Sequence, residues 1–361
     1  MPVLDEQAYL RLIRGEIGGP AALTARGALA AAAALYTLGA GVRNLAYDRG
    51  WKRVERASIP VVSVGNITLG GTGKTPMVEW TARRLRSGGA RVAIVSRGYA
   101  GTTGLNDEGR LLEDNLPDVP HLQGADRVRS ARIAVEELES QILVLDDAFQ
   151  HRRLHRDLDL VLLDALDPFG LGRICPRGLL REPVSSLGRA DVVLLSKADL
   201  VPMETRAAIR REAEARVGRP LAWAEIRQAP RDVVDSASNA HDLAALAGVR
   251  IAAFCGIGNP TGFARTLAAL GLTPVAFRAF PDHHNYTSAD VDALTAWAGS
   301  ERAELLLTTQ KDLVKLRSPS LGATPLRALR IGVEFLDGGE VVEAKLDMLV
   351  QVIESPSDMN A

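Results

Sequence analysis

The stretch that decides the fold is residues 60–76, which read PVVSVGNITLGGTGKTP. An apolar, β-branched run is followed by a glycine-rich loop, and Gly-Lys-Thr at 73–75 leads into apolar residues at helical spacing. This pattern predicts a strand, a phosphate-binding loop and a helix. Backbone N–H groups of the loop can bind phosphate oxygens, Lys74 can reach the terminal phosphates, and the Thr75 hydroxyl can hold Mg²⁺.

The loop departs in one position from the usual spacing G-x-x-x-x-G-K-[ST], which would place glycine where this chain has Thr68. We expect Gly70 and Gly71 to supply the turn instead. The alternative is a glycine-rich turn that only joins a strand to a helix. We predict nucleotide binding by the whole loop, which comprises Thr68, Leu69, Gly70, Gly71, Thr72, Gly73, Lys74 and Thr75.

Length and composition allow two domains with a substantial core, because the chain has 361 residues of which 47% are hydrophobic. The 43 Lys and Arg residues balance the 44 Asp and Glu residues, so the net charge gives no general attraction to nucleic acid. Cys175 and Cys255 are far apart and have no zinc-binding spacing. We expect both to be free thiols in a reducing cytoplasm.

Residues 27–42 are uncharged and rich in alanine and leucine. This run of sixteen residues is shorter than the roughly 20 that span a bilayer. Five Lys or Arg residues follow between Arg43 and Arg56. An apolar helix with a basic flank suits a membrane surface that carries anionic lipid, and a buried alanine-rich helix packed on the main domain is the alternative.

Apolar strand-like runs alternate with helical segments in the rest of the chain, which predicts an α/β fold with a mostly parallel sheet. We predict an N-terminal apolar helical segment over 1–48, a P-loop NTPase-like domain over 49–226, and a smaller α/β domain over 227–361 that completes the active site. The polar residues 227–240 are the expected linker.

Three polar motifs follow predicted strands. Asp146 and Asp147 end an apolar run, where a phosphate-loop protein places its metal-binding acid, so we predict both as Mg²⁺ ligands with Thr75. Residues 196–199, Ser-Lys-Ala-Asp, are similar to the guanine-reading motif of GTPases, with serine in place of asparagine or threonine. The pair His283 and His284 does not predict zinc, because adjacent residues of an extended segment point to opposite faces.

Taken together, these motifs resemble the tetraacyldisaccharide 4'-kinases, the lipid A 4'-kinase family of Gram-negative bacteria. The resemblance covers about residues 40–315, with motifs in family order at 64–76, 96–99, 146–151, 180–183, 255–260, 280–284 and 308–312. The family tolerates the substitution at Thr68. Mild departures are Ala148 for glycine, Gln310 for glutamate, and Asn-Asp-Glu-Gly at 106–109 where Gly-Asp-Glu-Pro is typical.

The resemblance implies roles for further residues. It assigns catalysis to Asp107 and His283, a carboxylate and an imidazole that can take the proton of a sugar hydroxyl as it attacks the γ-phosphate. It places Arg181 and Glu182 near the phosphates and the metal. Substrate or phosphate contacts are also implied for Asn66, Arg97, Tyr99 and Arg127.

The implied reaction is transfer of the γ-phosphate of ATP, with Mg²⁺, to the 4'-hydroxyl of a tetraacylated glucosamine disaccharide 1-phosphate. Four acyl chains cannot leave the bilayer cheaply, because each buried CH₂ is worth about 0.8 kcal/mol. We therefore expect the enzyme at the cytoplasmic face of the bacterial inner membrane, with no nucleic acid and no obligate protein partner. The alternatives are a P-loop GTPase or metal-chaperone ATPase that acts as a switch, and an independent binding module in the second domain.

Overall fold

The computed structural model describes residues 6–98, 107–282 and 284–354. The helices are α1 Glu6–Arg14, α2 Pro20–Asp48, α3 Lys74–Ser87, α4 Asp107–Asn115, α5 Arg127–Glu136, α6 Met203–Val217, α7 Pro260–Ala269, α8 Ser288–Ser300, α9 Gln310–Leu316 and α10 Gly339–Glu354. The strands are β1 Val61–Asn66, β2 Val92–Ser96, β3 His121–Gln123, β4 Ile142–Asp146, β5 Leu158–Asp164, β6 Val192–Ser196, β7 Trp223–Val234, β8 Ala240–His241, β9 Ile251–Cys255, β10 Ala276–Ala279, β11 Leu305–Thr309, β12 Ser320–Leu321 and β13 Thr324–Asp337.

The described chain forms two compact units. Unit 1 takes the described residues of Met1–Arg97, Leu122–Arg227 and Glu334–Ala361, and unit 2 those of Gly98–His121 and Gln228–Val333. This division differs from the sequential one predicted above. Helix α10 belongs to unit 1 because it packs on α3, where Arg84 pairs with Asp347 at 2.5 Å. Helix α4 belongs to unit 2 because it packs on α9.

The sheet of unit 1 has the strand order β7-β6-β5-β1-β4-β2-β3. The pairs of β1 with β4 and β5, of β2 with β4, and of β6 with β5 and β7 are all parallel. Strands β1, β2 and β6 are buried along their whole length, as expected for a parallel sheet covered on both faces. The predicted α/β class is therefore confirmed. The carboxyl ends of β1 and β4 are neighbours, with Val64 opposite Asp146.

Unit 2 is a smaller α/β unit with the parallel order β10-β9-β11-β13. Alternate residues of β9 serve two separate cores. Ile251, Ala253 and Cys255 pack with α7, whereas Ala252 and Phe254 pack with α8. Helices thus cover both faces of this sheet as well.

The boundary predicted after residue 226 lies next to the observed division at Arg227 and Gln228, but residues 227–240 are not an irregular linker. Their first part continues β7 as far as Val234, and β8 then pairs with it in antiparallel fashion. The composition misled the prediction because β7 exposes polar side chains between its buried ends, where Trp223 and Val234 lie. Polar composition alone does not distinguish a partly exposed strand from a linker.

Helix α2 extends well beyond the uncharged run. Its 29 residues correspond to about 43 Å, against a hydrocarbon thickness of about 30 Å. By length and composition, α2 could cross a membrane. The alternative of a buried helix is wrong, because Ala22 and Ala33 are its only buried residues, while Leu35 is 72% and Leu38 66% exposed. The uncharged run of sixteen residues underestimated the length of the helix, because Arg26 interrupts an apolar segment that begins at Pro20.

Candidate active site

The loop after β1 is held by a short pairing with residues 179–181. Leu69 N donates to Leu179 O at 2.7 Å, and Arg181 N donates to Ile67 O at 2.7 Å. Between these bonds, Thr68 forms an isolated antiparallel bridge with Leu180. Residue 68 is therefore extended and buried, and the positive φ angles of the loop fall at Gly70 and Gly73. This geometry explains why threonine is tolerated where glycine is usual.

The end of β1 is closely packed against the segment that follows β4. A Cβ on Gly65 would lie 2.6 Å from the Cβ of Phe149 and 2.8 Å from its backbone N, so only glycine fits there. Asn66 fixes both sides of this junction. Its Nδ2 donates to Thr72 Oγ1 at 3.0 Å, and its carbonyl accepts from Gln150 Nε2 at 2.8 Å.

Asn66 is fully buried, and its Oδ1 has no hydrogen-bond partner within the described part of the chain. The structure thus gives Asn66 a role in shaping the loop, and its predicted substrate contact stays a prediction. The sequence reasoning gave no role to Gln150. The only available signal was its place in the motif at 146–151.

Three charged groups meet beside the loop. Lys74 opens α3, and its Nζ lies 3.6 Å from Asp147 Oδ1. Arg181 Nη1 lies 2.8 Å from each carboxylate oxygen of Asp147. Burial alone would raise the pKa of Asp147, but Lys74, Arg181 and Arg127 together lower it below its usual value. Asp147 is therefore ionised at neutral pH and holds two cations at the phosphate-binding loop.

The predicted metal ligands have the donor chemistry that Mg²⁺ prefers. Thr75 lies buried in the first turn of α3, and Asp146 ends β4 beside β1. A hydroxyl and a carboxylate fit a site in which Mg²⁺ takes most of its ligands from phosphates and water. The residues described contain no group of three or more His, Cys, Asp or Glu side chains that could hold a metal without such help. The carboxylate of Asp147 pairs with Lys74 and Arg181. The metal roles of Thr75, Asp146 and Asp147 all stay predictions.

Arg127 is a buried arginine at the start of α5. Its Nη2 donates to the carbonyl oxygens of Asp146 and Asp147, at 3.0 Å each. Burial lowers the pKa of Arg127, and the two carboxylates oppose this effect. Arg127 therefore holds the backbone that carries the acidic pair. Arg97, which follows β2, is exposed.

Glu182 has partners that the sequence did not suggest. Its carboxylate is 1% exposed and lies 3.2 Å from Nη2 of Arg43 in α2 and 2.5 Å from Nη2 of Arg189. Arg189 in turn lies over the Phe149 ring, 4.5 Å from the centroid. The predicted contact of Glu182 with phosphate or metal is untested, and the contacts observed here connect it to α2. Arg43 and Arg189 were missed because neither belongs to a local motif.

Three predicted residues cannot be assigned contacts. Tyr99 and His283 lie outside the described residues, and Asp107 begins α4 with a side chain that is not described. The second histidine of the motif, His284, is described. Its ring stacks on Phe280 and its Nε2 lies 3.2 Å from Asp290 Oδ2, so it fixes its own segment.

In the motif at 196–199, which is similar to the guanine-reading motif of GTPases, the lysine forms an ion pair with a nearby aspartate. Lys197, at the end of β6, pairs through its Nζ with Oδ2 of Asp164 at the end of β5. This pairing gives no support to guanine recognition by Lys197.

The parallel sheet, the strand-loop-helix unit and the cations around the loop define a P-loop NTPase-like nucleotide-binding protein. The particular family follows from comparison with known proteins. The family model for tetraacyldisaccharide-1-P 4'-kinase matches residues 25–351. The chain belongs to this family, as its motifs indicated.

Similar proteins match over nearly their full length. Tetraacyldisaccharide 4'-kinase of Anaeromyxobacter dehalogenans (strain 2CP-C) is 43% identical over 91% of this chain and 92% of its own. That of Geobacter sulfurreducens is 37% identical over 95% and 98%. A crystal structure of LpxK from Aquifex aeolicus in complex with ATP is similar at a TM-score of 0.73 and 30% identity, over 90% of this chain and 99% of that one.

Proposed function

We propose that this protein is a kinase that transfers the γ-phosphate of ATP to the 4'-hydroxyl of a tetraacylated glucosamine disaccharide 1-phosphate. The observation that carries the proposal is the phosphate-binding loop, with Lys74 and Arg181 already arranged around one carboxylate, in a chain of the tetraacyldisaccharide kinase family. A switch GTPase or metal-chaperone ATPase has no comparable support.

In the reaction, the bond between the γ-phosphorus and its bridging oxygen breaks, and a bond from the 4'-oxygen to that phosphorus forms. Lys74 and Arg181 are positioned to stabilise the phosphate charge. Asp107 and His283 are proposed to take the hydroxyl proton. Thr75 and Asp146 would hold Mg²⁺, which neutralises phosphate charge when bound.

The proposed location is the cytoplasmic face of the inner membrane. The exposed leucines of α2 suit a lipid environment, and basic residues from Arg43 to Arg56 suit anionic headgroups. Substituting Leu35, Leu38 and Val42 by glutamate is expected to move the protein from the membrane fraction to the supernatant. Retention in the membrane fraction would contradict the role of α2. Substituting the surface residues Glu204 and Arg211 of α6 by glutamine is the control.

The proposed activity is tested with purified full-length protein in detergent, labelled ATP and the disaccharide lipid. We expect label in the lipid, dependent on Mg²⁺. Unlabelled lipid, together with ATP hydrolysis that does not respond to lipid, would overturn the proposal and favour a switch ATPase.

The proposed catalytic pair is tested by Asp107→Ala and His283→Ala. Each is expected to lower kcat by about 10²-fold or more with little change in ATP affinity, since general acid-base groups act on the transition state. His284→Ala provides a neighbouring comparison that loses the ring contacts with Phe280 but no proposed proton transfer. Losses confined to ATP affinity would contradict the assignment.

A further inference from the structure

We propose that Arg43, in the last part of α2, is a positioning residue for phosphoryl transfer. Through the buried carboxylate of Glu182 it fixes the segment that carries Arg181, and thereby the cations at the phosphate-binding loop. The inference rests on the proposed function, because it concerns the efficiency of that reaction.

The first step of the argument is the burial of Glu182. An ionised carboxylate that is 1% exposed is costly unless charged or polar donors surround it. Arg43 Nη2 lies at 3.2 Å, Asn44 Nδ2 at 3.4 Å and Arg189 Nη2 at 2.5 Å. Two of these three donors come from α2, so the position of Glu182 depends on that helix.

The second step is the neighbouring residue. Arg181 is the last residue of the pairing with the phosphate-binding loop, and its N–H donates to Ile67 O. Its guanidinium lies against Asp147, which also pairs with Lys74. If Glu182 moves, its neighbour Arg181 must therefore move as well. This movement would disturb the ion pair between Arg181 and Asp147, beside Lys74.

A second contact connects α2 to the other half of the same ion-pair cluster. Arg152, in the segment after Asp147, donates from Nη1 to Asn44 O at 3.0 Å and pairs through Nη2 with Asp48 at 2.6 Å. The end of α2 thus contacts both segments that contribute to the cluster, the one with Arg181 and the one with Asp147. Because small displacements of reacting groups can cost about 10²-fold in rate, this anchor is placed to affect kcat.

The experiment compares Arg43→Gln and Arg43→Lys with the wild-type enzyme in the lipid phosphorylation assay. Activities are expressed per ATP-binding site, titrated with a fluorescent ATP analogue, so that unfolded protein does not contribute. The matched control is Arg211→Gln, which removes the same charge from an exposed position in α6, outside the basic flank of α2.

We expect Arg43→Gln to lower kcat about tenfold and to change the KM values for ATP and lipid by less than about twofold. Arg43→Lys should recover most of kcat, because a single donor contacts Glu182 and lysine can supply it. Arg211→Gln should behave like the wild type.

Equal kcat values for Arg43→Gln and Arg211→Gln would overturn the inference. A rise in the lipid KM with unchanged kcat would also overturn it, because Arg43 would then act in lipid binding. An inactive wild-type enzyme would refute the proposed function instead. If Arg43→Gln does not fold, Glu182→Gln is measured in the same way: a fall in kcat at constant ATP KM and an unchanged Mg²⁺ requirement supports the inference, and an unchanged kcat or a raised Mg²⁺ requirement refutes it.

Discussion

Unit 1 and unit 2 each hold an aspartate shortly after a parallel strand, Asp147 directly after β4 and Asp312 in the first turn of α9 after β11, but the two carboxylates have different neighbours. In unit 1, Asp147 is 34% exposed and pairs with the cations Lys74 and Arg181. In unit 2, Asp312 is fully buried and accepts hydrogen bonds from neutral groups, namely Gly256 N, Tyr286 Oη and Thr309 Oγ1.

The difference distinguishes a site for an anion from a structural network. Cations that are partly exposed to solvent can bind phosphate in addition to their carboxylate partner. Neutral donors around a buried carboxylate instead fix the local backbone. A Cβ on Gly256 would lie 3.0 Å from Asp312 Oδ1, so Gly256 packs directly against this carboxylate. Burial and, to a lesser extent, the negative charge of Asp312 raise the pKa of Tyr286. Its hydroxyl therefore stays protonated and donates a hydrogen bond.

The largest expected effect is on Lys74. Lys74→Ala should lower kcat/KM for ATP about 10³-fold, or about 4 kcal/mol, because it removes a charge that stabilises the transferred phosphate. Lipid phosphorylation at varied ATP concentration measures this loss. Lys197→Ala is the matched control, since Lys197 also follows a strand but pairs with Asp164. A similar loss in the control variant would contradict the assignment.

In unit 2, Asp312→Ala should lower the free energy of unfolding by about 3 kcal/mol, because several buried donors would lose their acceptor. Urea unfolding in detergent, monitored by the fluorescence of the four tryptophans, measures the change. Asp312→Asn retains an acceptor oxygen and should cost less. Equal stability of Asp312→Ala and the wild type would contradict a structural role for this network.

Asp147→Asn should have the opposite profile to Asp312→Ala. We expect kcat to fall about tenfold, because Lys74 and Arg181 lose the charge that orients them, while the free energy of unfolding changes by about 1 kcal/mol. A Mg²⁺ titration compares this variant with Asp146→Asn. A higher Mg²⁺ requirement is expected for Asp146→Asn. An equal rise for Asp147→Asn would support its predicted role as a second metal ligand, and an unchanged requirement would contradict that role.

The smallest expected effect concerns His151, which also follows β4. Burial and, to a lesser extent, the positive charge of Arg127 lower the pKa of His151 from 6.5 to about 4. Between these values the unfolded chain binds more protons than the folded one, so stability is lost as the pH falls from about 6.5 towards 4. Glutamine does not titrate, so His151→Gln should lose less stability than the wild type as the pH falls. Because the His151 side chain is partly exposed, we expect this difference in the free energy of unfolding to be about 1 kcal/mol.

Thermal unfolding of His151→Gln and the wild type at pH 7 and pH 5 measures the effect. The unfolding temperature of the variant should fall less between the two pH values. His155→Gln provides the comparison within the same segment. A parallel decline of wild type and His151→Gln would show that other groups dominate the acid sensitivity.

Much of unit 1 could be predicted because its signals are local. The glycine-rich loop, the buried strand before it and the helix after it follow from consecutive residues between 60 and 87. The metal-binding candidate Asp146 was identifiable by its place at a strand end. By contrast, the later part of β7 was predicted as a linker and β13 was not predicted. Long strands with changing exposure have no single periodicity.

Side-chain roles were harder to predict than elements. Substrate or phosphate contacts of Arg127 and Asn66 stay predictions, whereas their observed contacts with the backbone and side chains of the site itself were not predicted. Such roles depend on which groups are buried together. A residue type within a motif does not specify that.

By itself, the sequence determined the α/β class, the phosphate-binding loop and the family, because each depends on residues that are close along the chain or on motifs in a fixed order. Only the tertiary structure decided how Thr68 fits the loop, which cations hold Asp147, and that α2 is anchored at Glu182. The contact between Arg43 and Glu182 joins residues 139 positions apart. Partners at such distances are selected by the packing of the folded chain, where burial makes an ionised group depend on the donors that surround it.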